Sequence, residues 1–276
     1  MKKEIKLIGL DLDGTTFTSD KRITDHTKSV IEKAIEQGVT VLPCTGRQLS
    51  GLPEEFLSMK GVRYAVTSNG ASVIDLKEKK KLFTDYIPYG IAADTMERLL
   101  KEEILTDIYI DGLCYIEEEL MVLFTSFLPN QESVTYFKKT RTPVKNLPEF
   151  IRKNRLDAEK IHLLFRDMEL KAALKKEFDA NPHFLTTSAV SFNLELNNRT
   201  ADKGTALLVL ADLLGIPHDQ TMACGDSFND EAMLRKAGFS VAMGNADPEI
   251  KKICDFVTKT NDEDGVAYAI ETFVLS

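Results

Sequence analysis

The chain has 276 residues, 43 % hydrophobic and 28 % charged, and its 35 Lys and Arg against 43 Asp and Glu give a formal net charge of −8. This is a globular composition, long enough for one large or two ordinary domains, and its acidic balance argues against a nucleic-acid partner or an anionic membrane surface while leaving room for a locally positive site that takes an anion. No apolar run approaches the roughly 20 residues that cross a bilayer, the basic start leads straight into a strand pattern rather than a leader's apolar region, and Cys44, Cys114, Cys224 and Cys254 form no CxxC pair, so a cytoplasmic protein with reduced thiols and no membrane segment is expected.

Residues 5–10 form a short apolar run that reads as a buried strand and ends in Asp11-Leu12-Asp13-Gly14. Alternate side chains of a strand share a face, so both carboxylates are expected to point the same way past the strand end. Like charges this close repel unless a cation sits between them. Thr24 or Asp25 can cap a helix with Val30, Ile31, Ala34 and Ile35 on one face, stopped by Gly38. Residues 39–43 form a second strand ending in Cys44-Thr45-Gly46-Arg47, and Tyr64–Thr67 a third ending in Ser68-Asn69-Gly70. Buried strands that repeatedly end in small or polar residues are the habit of a parallel α/β sheet, whose ligands bind at the carboxyl ends.

The middle of the chain is different in style. Residues 106–116 alternate polar and apolar around Asp111-Gly112, a hairpin signal. Residues 160–165 and 191–196 read as further strands, with amphipathic stretches at 91–103 and 168–179. From Gly204 the strand–helix alternation returns: a helix to Leu214, a strand at 220–224 ending in Gly225-Asp226, a helix at 228–237, a strand at 239–242, a helix at 248–254, a strand at 256–258 and a helix at 266–274. The fold class expected is α/β, a Rossmann-like doubly wound parallel sheet core, discontinuous over 1–86 and 190–276, with an α+β cap inserted at 87–189. Ile87-Pro88 and 187–190 are the expected hinges.

Four clusters carry chemistry, and each has an ordinary structural explanation when taken singly. Asp11 and Asp13 could close a solvated turn. In 224–230, CGDSFND, Ser227 could cap a helix, yet Asp226, Asn229 and Asp230 together resemble an oxygen-ligand site for Mg2+. Thr45-Gly46-Arg47 could cap a helix, or a hydroxyl and backbone N–H groups there could hold a phosphoryl group. Lys203 opens a helix, where the dipole disfavours a cation, so it needs an anionic partner or full solvation.

In this order, DxDGT after a strand, a strand-ending Thr, a helix-start Lys and GDSxND resemble the haloacid dehalogenase superfamily of aspartate-dependent phosphatases. Ser68-Asn69-Gly70-Ala71, AGFSVAMGNA (237–246) and NDEDGVAYAI (261–270) resemble its Cof-type branch. The resemblance covers roughly 5–85 and 190–276. The 157 residues between Thr45 and Lys203 (203 − 45 − 1) have room for the large cap of that branch, and the 33 between Asp11 and Thr45 (45 − 11 − 1) do not have room for the alternative cap position.

The resemblance implies that Asp11 is the nucleophile and Asp13 the general acid and then base. It implies Mg2+ held by Asp11, the backbone carbonyl of Asp13 and Asp226, with Asp230 supporting that shell or orienting Lys203. It further implies phosphate oxygens held by Thr45, the N–H groups of Leu12 and Gly46, Lys203 and Asn229. Arg47 and Asn69, with His162, His183 or Arg166 from the cap, are candidates for reading the leaving group. Departures are Cys44 where Ala is usual, Thr16-Phe17 after DGT where Leu is common, and an approach to the lysine, NNRTAD, without its usual Pro and Gly. The expected activity is hydrolysis of small phosphorylated metabolites, sugar phosphates or cofactor phosphates, through an aspartyl-phosphate; monomer and dimer stay open. The alternatives are a phosphomutase with the same nucleophile and a non-catalytic phospho-ligand sensor.

Overall fold

The computed structural model describes residues 4–128 and 130–276. The chain divides into two compact units: one comprises the residues up to Gly46, Leu52–Thr84 and Asp202–Ser276, the other Arg47–Gly51 and Asp85–Ala201.

The first unit begins with β1 (Leu7–Leu10), buried at every position as a central strand must be. Next is α1 (Asp25–Glu36), whose cap is Thr24, accepting the Thr27 N–H, and which buries Thr27, Val30, Ile31 and Ala34. β2 (Thr40–Pro43), the short α2 (Glu54–Leu57) and an antiparallel trio, β3 (Tyr64–Thr67), β4 (Ser72–Asp75) and β5 (Lys80–Thr84), complete its first half.

The second unit continues with α3 (Tyr89–Leu99), the β6 (Leu105–Ile110) and β7 (Leu113–Glu117) hairpin, α4 (Gln131–Thr140), β8 (Arg141–Val144), α5 (Leu147–Asn154), β9 (Lys160–Leu164), α6 (Met168–Asp179), β10 (Phe184–Thr187) and β11 (Asn193–Asn198). Asp111 and Gly112, at φ of 52° and 75°, make the hairpin turn that the sequence signals. Its six strands order as β10-β11-β9-β6-β7-β8, antiparallel except for β7 and β8. One sheet face supplies Ile108, Ile110, Ile161, Leu163, Leu194 and Leu196 to an apolar cluster with Met96, Leu99, Ile151 and Phe178 from the helices. The alternate positions carry Asp107, Tyr109, Lys160, His162 and Glu195, all buried.

The expected return to the core at 190 is corrected by the structure. β11 pairs with β10 and β9, so the inserted unit runs to Ala201. It also gathers Arg47–Gly51, which the sequence reading placed in the core.

The first unit resumes with α7 (Lys203–Leu213), β12 (Thr221–Gly225), α8 (Glu231–Lys236), β13 (Phe239–Ala242), α9 (Pro248–Ile253), β14 (Phe256–Val257) and α10 (Gly265–Ile270). Its parallel sheet orders as β14-β13-β12-β1-β2. α1 packs against α10 and α7 against α8, giving the two helical layers of a doubly wound fold. From β1 the chain moves outward to β2 on one side, and the later strands continue on the other. β1 therefore lies where the winding reverses, and the crevice beyond its carboxyl end is the position where such sheets bind ligands.

Candidate active site

The register brings three strand ends side by side. Leu10 pairs with Cys224 of β12 and with Pro43 of β2. The Asp11 N–H donates to the Cys224 carbonyl at 3.0 Å, and the Cys44 N–H to the Leu10 carbonyl at 2.7 Å. Thr45 continues this edge, donating its N–H to the Val66 carbonyl at 2.9 Å, and its own carbonyl accepts from the Asn69 N–H at 3.0 Å. Asn69 sits in the left-handed region, φ 59°, which its short polar side chain tolerates.

Lys203, fully buried, donates from Nζ to Asp11 Oδ1 at 2.7 Å and to Asp230 Oδ1 at 2.6 Å. This supplies the anionic partners that a lysine at a helix start requires. Asp230 uses its other oxygen to accept the N–H groups of Asp226 at 2.9 Å and Ser227 at 3.1 Å. Ser227 and Asp230 form a capping box, so the expected cap is present, and the same Asp230 side chain also holds Lys203. Asp226 accepts the Thr15 hydroxyl at 3.0 Å. Carboxylate oxygens of Asp11, Asp226 and Asp230 lie within 4.8 Å of one another, a group that could hold a metal ion.

Two buried carboxylates, Asp11 and Asp230, share one ammonium, and the half-buried Asp226 lies beside them. Burial pushes the Asp11 carboxyl well above the usual range, repulsion from Asp230 adds to that, and Lys203 opposes it. Burial, then Asp230, raises Asp226 to about 7. Burial works against the charge on Lys203, but Asp11 and Asp230 outweigh it and hold the ammonium protonated far beyond neutral pH. The cluster carries an excess of negative charge that a bound cation would remove.

Gly14 has φ of 85°, and a Cβ there would lie 2.4 Å from Asp226 Oδ2. Only glycine permits both this turn and the close approach of the carboxylate.

The structure corrects one geometric expectation. The strand alternation stops at Leu10, because the chain turns over Leu12–Thr16. Asp13 therefore lies in a turn, its carboxylate outside the three-carboxylate group and paired with Lys21 Nζ at 3.0 Å. Asn229 accepts the Ser227 hydroxyl at 2.7 Å, and Leu12 is buried in the turn. Arg47 belongs to the second unit, where it donates to the Gly51 carbonyl at 3.3 Å and lies 5.3 Å from the Tyr136 ring centre. Also in that unit, His162 is buried beside Asp107 at 3.3 Å, while His183 and Arg166 are exposed. Thr15, Lys21 and Asn245 contact the aspartate loop and were given no role by sequence reasoning. Asn245 lies in the MGNA match and Thr15 in DGT, so a signal was present for both.

A strand-end nucleophile candidate, a buried lysine and an acidic group at the switch point of a doubly wound sheet define a phosphoryl-transfer hydrolase with an inserted cap. The comparisons with known proteins agree. The family model described as haloacid dehalogenase-like hydrolase matches residues 8–270. The Bacillus subtilis 5-amino-6-(5-phospho-D-ribitylamino)uracil phosphatase YcsE is 31 % identical over 280 residues, covering 99 % of this chain and 97 % of its own. The phosphatase YwpJ of the same organism is 31 % identical over 284 residues, covering 97 % of this chain and 99 % of its own. A solved haloacid dehalogenase-like hydrolase from B. subtilis superposes with a TM-score of 0.87 at 28 % identity, covering 98 % of this chain and 100 % of that one. The chain belongs to the haloacid dehalogenase superfamily, in its Cof-type branch, and is a phosphoric monoester hydrolase. Among the described residues, no helix is long and apolar enough to cross a membrane.

Proposed function

We propose that this enzyme hydrolyses small phosphorylated metabolites, sugar phosphates or cofactor phosphates, with Mg2+ and through a phosphorylated Asp11. The observation that carries this reading is the close group of Asp11, Asp226 and Asp230, the first and last of them buried and bonded to Lys203. All-oxygen donors with excess negative charge suit a hard divalent cation. Asp11, the Asp13 carbonyl and Asp226 would hold Mg2+, with Asp230 behind them. When bound, the ion supplies positive charge that lets a phosphate dianion approach a carboxylate.

The chain's own residues then divide the chemistry. A carboxylate oxygen of Asp11 attacks phosphorus while the P–O bond to the leaving group breaks, and Asp13 delivers a proton to the departing oxygen. Asp13 next takes a proton from the water that attacks the aspartyl-phosphate. Phosphate leaves and Asp11 is regenerated. The N–H groups of Leu12 and Gly46, the Thr45 hydroxyl, Lys203 and Asn229 would hold the phosphoryl oxygens. The inserted unit, with Arg47, and Asn69 of the core would select the leaving group. YcsE is named for a phosphorylated ribityl compound, so polyol and sugar phosphates are the first substrates to assay.

The test is phosphate release from sugar phosphates, nucleotides, pyridoxal phosphate and flavin mononucleotide, with Mg2+, with chelator and with Asp11→Asn. Release that requires both the metal and Asp11 supports the reading. No release from any ester by folded, Mg2+-supplied protein overturns it.

A further inference from the structure

We propose that Lys21 is a positioning residue for Asp13, and that the C-terminal segment from Asn245 to Asp264 is the brace that makes this possible. The inference rests on the acid–base reading of Asp13 given above.

Lys21 reaches Asp13 from a turn that is itself closed by backbone bonds. The Thr18 N–H donates to the Arg22 carbonyl, and the Lys21 N–H to the Thr18 carbonyl, both at 2.9 Å. Lys21 has φ of 60°, a left-handed conformation that a lysine adopts only when its surroundings impose it. The segments on either side of this turn are held from the far end of the chain. Asn245 donates from Nδ2 to the Gly14 carbonyl at 2.8 Å. The Asn261 N–H donates to Asn245 Oδ1 at 2.9 Å, while Asn261 Nδ2 donates to the Phe17 carbonyl at 2.9 Å. Asp262 accepts both the N–H and the hydroxyl of Ser19 at 2.7 Å. Asp264 accepts the hydroxyls of Thr24 and Thr27.

The aspartate loop is thus gripped at Gly14, Phe17, Ser19 and Thr24, on both sides of the Lys21 turn. This gives a physical use to the MGNA and NDEDG matches, which supply no group to the three-carboxylate cluster. The Lys21–Asp13 pair leaves 47 % and 41 % of the two side chains exposed, so it contributes little to stability. Its effect is geometric: it holds Asp13 Oδ1 at 3.0 Å from a cation whose turn is closed by its own backbone bonds. A general acid must sit within hydrogen-bond reach of its oxygen, and small misplacements are costly.

The experiment uses the full chain with Mg2+, ribose 5-phosphate and p-nitrophenyl phosphate, and the variants Lys21→Met, Lys21→Arg, Asp262→Asn and Asp13→Asn. Lys21→Met should lower kcat roughly 10- to 100-fold, with KM within about twofold and melting temperature unchanged. Lys21→Arg should recover most of the loss, and Asp262→Asn should lower kcat in the same direction by a smaller factor. In rapid-mix measurement of leaving-group release, the Lys21→Met defect should be larger for the alkyl ester than for p-nitrophenyl phosphate, whose phenolate departs without a proton. In the Asp13→Asn background, Lys21→Met should add nothing. Wild-type turnover by Lys21→Met beside an inactive Asp13→Asn overturns the inference alone. So does a Lys21→Met defect that persists undiminished in the Asp13→Asn background. A fully active Asp13→Asn overturns the acid–base reading of Asp13, and the inference with it.

Discussion

Each unit of this protein buries a cluster of charges, and the two clusters are built on opposite principles. In the inserted unit each of the buried carboxylates Asp107, Glu159 and Glu195 has its own partner. Asp107 receives Arg141 Nε at 2.9 Å and lies 3.3 Å from His162, Glu195 receives Lys160 Nζ at 2.8 Å, and Glu159 accepts the Gly112 N–H at 2.8 Å. Burial alone would raise Asp107, but Arg141 and then His162 outweigh it and hold its carboxyl well below the usual range. In the core, Asp11 and Asp230 share Lys203, and Asp226, beside them with no cation among the described residues bonded to it, is pushed up to about 7. A cluster of paired charges fixes a fold, whereas an unbalanced one has room for charge from outside, which in the function proposed above is a cation and then a phosphate.

The sharpest way to break this comparison is Asp11→Asn. Phosphate release should fall by about 10⁴-fold or more, as removal of a nucleophile does. The metal-free variant should nonetheless melt at or above the wild-type temperature, because one of three repelling carboxylates is gone. A lower melting temperature would mean that Asp11 stabilises the fold and that the imbalance is not real.

Removing a cation comes next. Lys203→Met leaves the core carboxylates uncompensated and should cost about 3–5 kcal/mol in urea unfolding of metal-free protein. Arg141→Met should cost a similar amount by stranding Asp107. Converting both Asp107→Leu and Arg141→Met should recover much of that loss, since apolar side chains can replace a balanced pair. No such recovery would show that the pair does more than neutralise itself.

The two clusters also predict opposite pH slopes. With its folded pKa raised to about 7, Asp226 holds a proton that the unfolded chain has already released. Its contribution therefore favours folding at low pH and is lost as pH rises from about 4 through about 7, by roughly 2–4 kcal/mol. Asp226→Asn should remove this slope from metal-free protein, and Mg2+ should offset it above neutrality. Asp107, with its pKa depressed, stabilises the fold at neutral pH and loses that contribution as pH falls through and below the ordinary carboxylate range. Denaturation followed across pH, with Asp226→Asn and Asp107→Asn, separates the two.

The smallest effect is expected at Gly14. Gly14→Ala places a Cβ against Asp226 and strains a positive φ, which should cost about 1–2 kcal/mol and weaken Mg2+ dependence of the rate. Unchanged Mg2+ activation in this variant would detach Gly14 from the metal site.

Much of the core was legible in the sequence because its signals are local. Short apolar runs marked β1, β2, β3, β12 and β13, and the residues just past them drew attention to Asp11, Thr45 and Asp226. Lys203 was legible as an electrostatic misfit at the start of α7, resolved once its two carboxylates are seen. The direction of Asp13 was not legible, because the chain turns at Gly14 and the loop around it is bonded to groups more than 200 residues away, such as Asn245. The end of the inserted unit was also missed: residues 193–198 look like any buried strand, and only their pairing with β9 and β10 assigns them to that unit.

By itself the amino-acid sequence determined which chemical groups stand at strand ends and how far apart along the chain they lie, since strand patterning, caps and glycine turns act over a few residues. Only the tertiary structure decided which charges share a buried space. Desolvation and Coulomb repulsion depend on distance and burial, not on sequence separation, and they made Asp11, Asp226 and Asp230 an unbalanced site while leaving Asp107 and Glu195 each paired with a buried cation.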